Sequence, residues 1–376
     1  MTRITAEWLV SEPAQTVCAL LTDAGYQAWF VGGCVRNALL GEPVADLDLS
    51  TDAQPDRVTA LAESAGLKVI PTGVDHGTVT VLSQHVPFEV TTFRRDVATD
   101  GRRATVAFAD NMTDDARRRD FTMNALYAGP DGVVADPLGG LADLLARRVR
   151  FIEDADQRSK EDYLRILRVF RFHAWYGQNG PDADGLAACA ANIDGLAQLS
   201  EERVTSEMLK LLAAPDPAPA MASMAATGAL AQILPGADTV PLAVLVHVEG
   251  QAGLSPIPLR RLAMLGGAPE MALRLSKDQA RYLDQIRAEM SHAEAAYRFG
   301  AEIGLDRLAI EAASLGQEVA PKTAQLVRDA AAKTFPLTAA DLMPALQGAA
   351  LGNALKPAEA RWIASDFTLT KADLLD

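Results

Sequence analysis

Apolar and polar positions follow two different rhythms along this chain of 376 residues. Up to about residue 150 the apolar residues fall in short runs, often with a period of two, separated by glycine, proline and polar breaks. "QTVCALLTDAG" (15–25) predicts a short amphipathic helix ending at Gly25. "YQAWFVGG" predicts a strand entering a glycine turn, and "CVRNALLG" a helix closed by Gly41. "ADLDLST" reads as a strand, and "PDRVTALAESAG" as a helix with Pro55 near its start and Gly66 at its end. "KVIPTG", "GTVTVLS" and "PFEVTTF" follow as strands. "DDARRRDFTMNALYA" (114–128) starts polar and is expected to become helical. From about residue 155 strand signals almost vanish, and alanine- and leucine-rich helical segments such as "KEDYLRILRVFRFHAWYG" and "ERVTSEMLKLLAA" take over. The expected architecture is an α+β head, a mixed sheet with helices over residues 1–150, followed by an all-α remainder. That remainder divides into a neck (151–215), a body (216–290) and a tail (291–376), with "PDPAPA" (215–220) marking a boundary.

Charges in the apolar strands point to chemistry. Asp46 and Asp48 are two apart, so on a strand both carboxylates share one face while Leu47 and Leu49 share the other. Like charges on one face repel unless a cation lies between them. Hard oxygen donors without a nearby histidine or cysteine suit Mg²⁺ or Mn²⁺. Taken alone, the pair also fits a surface turn. Just upstream, a strand leads into Gly32-Gly33 and a helix start, which exposes backbone N–H groups to a phosphate. Arg36 on the first helical turn offers a charge-assisted contact, although the segment is neither a Walker A loop nor GxGxxG. Glu89 interrupts "PFEVTTFR" and, on a neighbouring strand, would supply a third carboxylate to a two-metal site. The alternative is an exposed edge-strand glutamate.

The net charge of −14 argues at first against a polyanionic partner. Its distribution changes that picture. Residues 94–171 carry 15 basic side chains, 14 of them arginine, against 14 acidic ones, whereas residues 1–93 carry 4 basic and 11 acidic. An arginine-rich island suits phosphates and planar groups, while a solvated salt-bridged surface would tolerate lysine equally. Cys18, Cys34 and Cys189 are scattered without a CxxC, which fits a reducing compartment and no zinc site. The polar N-terminus and the lack of a long apolar run lead to an expected cytoplasmic location with no membrane partner.

In combination these segments resemble the class II branch of the nucleotidyltransferase superfamily, which contains tRNA CCA-adding enzymes and bacterial poly(A) polymerases. The resemblance covers residues 25–215. "GGCVRNALLG" with "DLDLST" is similar to the phosphate and metal motif, and "FRRDVATDGRRATVAF" (93–108) to the flexible loop. "RRDFTMNALY" (118–127) resembles the segment that contacts the nucleotide's sugar and phosphates. "EDYLRILRVFRF" (161–172) resembles the nucleotide-selecting helix, and "EERVTSEMLKLL" (201–212) the segment supporting it. Asn37 departs from the aspartate usual after the arginine. The resemblance implies that Arg119 meets the phosphates and Asp120 the ribose, whose 2′-OH both donates and accepts. Asn124, expected four residues on along the same helix face, either contacts the nucleotide or holds the helix.

Asp162 and Arg165, three apart, would be neighbours on one helix face and present an acceptor beside a donor. Cytosine and adenine both offer an exocyclic amino donor beside a ring-nitrogen acceptor. Guanine and uracil offer the reverse, and each unpaired group costs about 1–3 kcal/mol. Arg168 continues this face, whereas Arg171 is half a turn out of phase and owes its nucleotide role to the resemblance. A surface helix of ion pairs is the competing reading.

The expected activity is therefore template-independent addition of C, C and A to the 3′ end of tRNA from CTP and ATP. Mg²⁺ at Asp46 and Asp48 would hold the triphosphate and activate the 3′-OH for in-line attack, with pyrophosphate leaving. The alternatives are a poly(A) polymerase, a non-catalytic RNA-binding protein with a degenerate head, or an antibiotic nucleotidyltransferase. The loop favours complete CCA addition. No protein partner is inferred. In the acidic helical remainder, RNA contacts are expected from local clusters such as Arg260–Arg261 and Lys210.

Overall fold

The computed structural model describes residues 2–99, 104–343 and 345–375. The chain forms two compact units, Met1–Leu211 with Pro219–Ile233, and Leu212–Ala218 with Leu234–Asp376.

The first unit opens with two helices, α1 (Glu7–Val10) and α2 (Glu12–Thr22). The Ser11 hydroxyl accepts from the Ala14 N–H and caps α2. Next come β1 (Trp29–Val31), α3 (Gly33–Leu40), β2 (Leu47–Thr51), α4 (Pro55–Ser64), β3 (Lys68–Gly73), β4 (Thr78–Ser83) and β5 (Val86–Thr92). Further on are β6 (Arg94–Thr99), β7 (Ala104–Phe108), α5 (Met112–Arg117), β8 (Tyr127–Ala128) and β9 (Val134–Ala135). Seven strands make one mixed sheet in the order β3-β4-β5-β2-β1-β8-β9, and β6 with β7 makes a separate two-stranded ribbon. The β2–β5 pair is parallel and the other pairs are antiparallel. α2 and α4 pack on the sheet, and Phe30, Leu49, Val79, Val81, Phe88 and Val90 are buried. Alternation in β5 buries Phe88 and Val90 and leaves Glu89 exposed on the other face.

Two sequence expectations are corrected in this unit. The segment 114–128 does not continue as a helix. α5 ends at Arg117, Phe121 is extended (φ −122°, ψ 148°), Thr122–Asn124 make a single 3₁₀ turn, and β8 then joins β1. Phe121, Met123, Leu126 and Tyr127 are all fully buried. Delivering these side chains to the sheet outweighs the local preference for helix.

The second correction concerns the expected selecting helix. After α6 (Gly140–Leu145) come α7 (Ala155–Glu161), α8 (Leu164–Tyr176), α9 (Ala183–Ala191), α10 (Glu201–Leu212), α11 (Ala218–Ala226) and α12 (Ala229–Ile233). The chain breaks between α7 and α8 at Asp162 (φ −150°, ψ 105°). The Asp162 carboxylate accepts from the Leu164 N–H at 3.1 Å, and its carbonyl accepts from the Arg165 N–H at 2.9 Å. An aspartate whose carboxylate takes a backbone N–H two residues on competes with the continuous ladder. Tyr163 seats its ring on Gly195, where a Cβ would stand 2.0 Å from a ring carbon.

The second unit is helical: α13 (Val240–Ala252), α14 (Pro258–Leu265), α15 (Pro269–Ala272), α16 (Lys277–Arg287), α17 (His292–Phe299), α18 (Ala301–Ser314), α19 (Pro321–Ala331), α20 (Ala339–Leu342), α21 (Ala349–Ala364) and α22 (Lys371–Leu375). Trp362 centres an aromatic cluster with Phe335, Tyr297 and Phe367, at ring separations of 5.5, 5.4 and 5.0 Å. Arg260 and Arg261 are not a surface patch for RNA; each is 1% exposed. Glu249 pairs with both, at 2.7 and 2.8 Å, and Asp306 pairs with Arg260. Arg261 also donates to the carbonyls of Leu212, Ala214 and Pro215, fastening residues 212–215 to α14. Neighbouring arginines read as a solvated cluster in sequence, but a carboxylate eleven and twelve residues upstream and three carbonyls give them a buried role. Lys210 is exposed.

Candidate active site in the first unit

The acidic end of the site is built on two parallel strands. Asp48 lies on β2 directly beside Glu89 on β5. Asp46, one residue before β2, is exposed, as is Glu89, whereas Asp48 is half-buried. Burial and the neighbouring charges of Glu89 and Asp46 raise the Asp48 carboxyl to about 6, against a smaller opposing effect of Arg119. Among the described residues no three His, Cys, Asp or Glu side chains are already gathered at metal-binding spacing. The donor chemistry nonetheless suits a hard divalent cation: the charges of Glu89 and Asp46 add to the cost of ionising Asp48, which a bound cation would relieve.

Gly32 joins β1 to α3 with φ 72° and ψ −120°, a conformation closed to other residues. No side chain caps α3, so its first N–H groups stay available. Arg119 comes close: its Nη1 lies 3.4 Å from where a Cβ on Gly32 would stand. Arg119 is held by Asp115 at 3.0 Å, by the Ser50 hydroxyl at 3.3 Å and by the Tyr127 hydroxyl at 3.3 Å. Asp115 is wholly buried. Burial would raise its carboxyl, but Arg119, Arg118 and the Tyr127 hydroxyl, which donates at 2.7 Å, hold it well below the usual carboxylate range. The sequence reading missed Asp115. The available signal was its position four residues before Arg119, ion-pair spacing on a helical turn.

Residues 118–127 are tied into a chain of polar contacts. Asp120 accepts from Arg168 Nε at 2.8 Å and also from Arg168 Nη2. Its other oxygen accepts from the Phe121 N–H at 2.8 Å and the Asn124 amide at 2.9 Å. Asn124 in turn accepts from Arg36 Nη1 at 2.6 Å. Arg36 also donates to the Asn37 side chain at 3.1 and 2.9 Å and to the Tyr176 hydroxyl at 2.8 Å. Its guanidinium lies 4.1 Å from the Tyr176 ring centre and 5.2 Å from that of Phe172. Arg36, expected to meet a phosphate, is 7% exposed and forms a buried tie to α8 beside the glycine turn. Asn37 accepts from Arg36 and donates to the Pro43 carbonyl at 2.6 Å. Asn124 serves as a link between Asp120 and Arg36.

Asp162 and Arg165 do not share one continuous helix face as expected, because Asp162 precedes α8 while Arg165 lies in its first turn. Asp162 accepts from Arg203 on α10, at 3.0 and 2.8 Å. Arg165 pairs with Glu161 at 2.7 Å and donates to the carbonyls of Arg158 and Arg118, at 3.0 and 3.2 Å. Arg171 pairs with Glu207 of α10, a buried carboxylate that also lies 3.9 Å from Arg168. Arg203 and Glu207, four apart, therefore present one face of α10 to Asp162 and Arg171. Neither was singled out from the sequence, although the segment containing them was. The flexible-loop motif at 93–108 is seen as the β6–β7 ribbon, and its residues 100–103 lie outside the described residues.

Comparison with known proteins places this arrangement. Residues 28–150 match the family model described as "Poly A polymerase head domain", and residues 182–240 match "Probable RNA and SrmB- binding site of polymerase A". The chain is 43% identical over 218 residues to the CCA-adding enzyme of Geobacillus thermodenitrificans, covering 57% of this chain and 52% of that protein. It is 40% identical over 207 residues to the human mitochondrial CCA tRNA nucleotidyltransferase 1, covering 54% and 48%. The aligned stretch thus spans about half the length of these curated relatives. The crystal structure of the Bacillus stearothermophilus CCA-adding enzyme in complex with CTP superposes with a TM-score of 0.74 at 30% identity, over 94% of this chain and 93% of that one. The Thermotoga maritima CCA-adding enzyme complexed with tRNA shares the fold, with a TM-score of 0.69 at 14% identity over 99% and 97%. No helix among the described residues is long and apolar enough to cross a membrane. Family membership carries with it dependence on a divalent metal ion. From the parallel carboxylate pair, the glycine turn and its arginine, and this likeness over nearly the whole chain, the protein belongs to the nucleotidyltransferase family of CCA-adding enzymes and poly(A) polymerases.

Proposed function

We propose that the protein adds C, C and A to the 3′ end of tRNA without a template, using CTP and ATP and releasing pyrophosphate. The observation that carries this reading is the convergence of Asp48, Glu89, the Gly32 turn and Arg119 in one unit that also holds the Asp162 and Arg165 segment. Asp46 and Asp48, with Glu89 beside them, would hold Mg²⁺ or Mn²⁺, which when bound supplies charge neutralisation at the triphosphate and acidifies the attacking 3′-OH. The uncapped N–H groups at the start of α3 and the Arg119 guanidinium bind phosphates, Arg119 being kept in place by Asp115. Asp120 lies at the sugar, backed by Arg168 and Asn124.

The base is read by Asp162 and Arg165. In the resting protein both are engaged elsewhere, with Arg203 and Glu161, so reading a base requires exchange of partners. Arg168 and Arg171 continue the nucleotide-facing surface of α8 through Asp120 and Glu207. All three cysteines are buried and free, their thiols pushed up by burial to about 12, 11 and 12 for Cys18, Cys34 and Cys189, in keeping with a cytoplasmic location. The test is incorporation into tRNA lacking its 3′ end, with CTP and ATP offered separately and together. Two C residues followed by one A are expected. Unlimited A addition to any RNA would instead establish a poly(A) polymerase.

A further inference from the structure

Among the described residues Arg36 makes no direct ion pair, and Asp120, the carboxylate whose charge reaches it, is engaged by Arg168. Asp120 is met by Arg168, Asp115 by Arg118 and Arg119, and Glu207 by Arg171. The hydrogen-bond partners of Arg36 are instead neutral: the side-chain oxygens of Asn37 and Asn124 and the hydroxyl of Tyr176. Its Nη2 also lies 3.9 Å from where a Cβ on Gly33 would stand, beside the glycine turn.

From that position Arg36 reaches α8 by two routes. One is direct, to the Tyr176 hydroxyl. The other passes through Asn124 and Asp120 to Arg168. Arg168 and Tyr176 stand about 12 Å apart along the helix axis at 1.5 Å per residue. Two attachments so separated fix both the position of α8 along its axis and its rotation about it. Phe172, midway, lies 5.2 Å from both Arg36 and Arg168 and fills the space between the routes.

We propose that Arg36 is a positioning residue for nucleotide selection: it fastens α8, which starts beside the base-reading Asp162, to the glycine turn that receives the phosphates. The inference rests on the proposed function. Hydrogen-bond reading rejects a wrong base only when the reading groups cannot shift to satisfy it. The tie through Arg36 removes that freedom, and an anion on the glycine turn strengthens it by giving the buried cation its missing partner.

Tyr176→Phe tests this with little disturbance, because the ring remains against Arg36 and only the hydroxyl is lost. Initial rates are measured on tRNA lacking its end with CTP, ATP and UTP each as sole nucleotide, alongside thermal unfolding. The expected result is a fall of about tenfold in the CTP-over-UTP ratio of kcat/KM, carried by KM, with kcat for CTP within about threefold of wild type. A core variant remote from α8, Val58→Ala in α4, should lower the unfolding temperature and leave the ratio unchanged. An unchanged ratio in Tyr176→Phe, or an equal loss in Val58→Ala, overturns the inference. A wild-type chain inert with every nucleotide refutes the proposed function itself, so the two failures are distinguishable.

Discussion

Asp48 and Glu89 are register partners on adjacent parallel strands, and the charge of Glu89 makes Asp48 harder to ionise. This concentrates negative charge where a cation is required. Asp46→Ala should therefore abolish nucleotide incorporation while leaving the unfolding temperature within a few degrees of wild type. Chelation of divalent ions should have the same effect on incorporation, reversed by added Mg²⁺. Continued addition by Asp46→Ala would place the metal elsewhere.

Burial of Asp48 and, after it, this repulsion cost the metal-free fold stability. The Asp48 carboxyl is raised to about 6, so above that pH its ionised form is held less favourably folded than unfolded. Asp48→Asn should stabilise the metal-free protein by on the order of 1 kcal/mol at pH 8 while eliminating activity. Differential scanning calorimetry with a chelator present reads the sign directly.

Asp115 shows the opposite sign. Arg119 and Arg118 overcome burial and hold its carboxyl below the usual range. Its contribution is complete above the unfolded value of about 4 and is lost as pH falls towards the lower folded value. Acid titration of Asp115→Asn should show a flatter loss of stability below about pH 4 than wild type. At neutral pH the variant should be less stable by about 1.5–3 kcal/mol, the worth of a charged buried hydrogen bond.

Arg261→Ala should destabilise the second unit by about 3–5 kcal/mol, because it leaves Glu249 and three carbonyls short of a donor. Thermal unfolding measures this. A residue whose role was RNA contact would leave the unfolding temperature where it was and weaken RNA binding instead.

Asp162→Ala should relax the choice of C and A over G and U by about 10- to 100-fold. Misincorporation assays with each nucleotide check it. Preserved discrimination would remove Asp162 from the reader.

Much of the head was legible because local chemistry and tertiary need agree there. Leu47 and Leu49 demand a buried face, which sends Asp48 to the other, and Gly32 marks a turn that needs positive φ. Strand pairing was only partly visible: Glu89 announces itself as a charge in an apolar strand, but its register with Asp48 is set by two strands that are distant in sequence. The break at Asp162 was hidden because the 3.6-residue periodicity runs through it, and only the local bond from the Leu164 N–H to its carboxylate marks the interruption. Arg260–Arg261 misled, and the tie of Arg36 to α8 went unseen, for one shared reason. An arginine in sequence carries no sign of whether its donors meet solvent, a ligand, or buried oxygens of its own chain.

The path of the chain between its two units has a consequence for how the protein can be dissected. Residues Leu212–Ala218 belong with the second unit, Pro219–Ile233 with the first, and the chain then passes to the second again. A fragment stopped after Leu211 forfeits α12, which packs on the 3₁₀ segment Ile193–Gln198. A fragment begun at Leu234 forfeits the carbonyls that Arg261 grips. No single splice site yields two intact pieces, so the catalytic half cannot be grafted onto a foreign partner by simple end-to-end fusion. Recombination between relatives must exchange the whole 212–233 stretch in register or leave both halves incomplete.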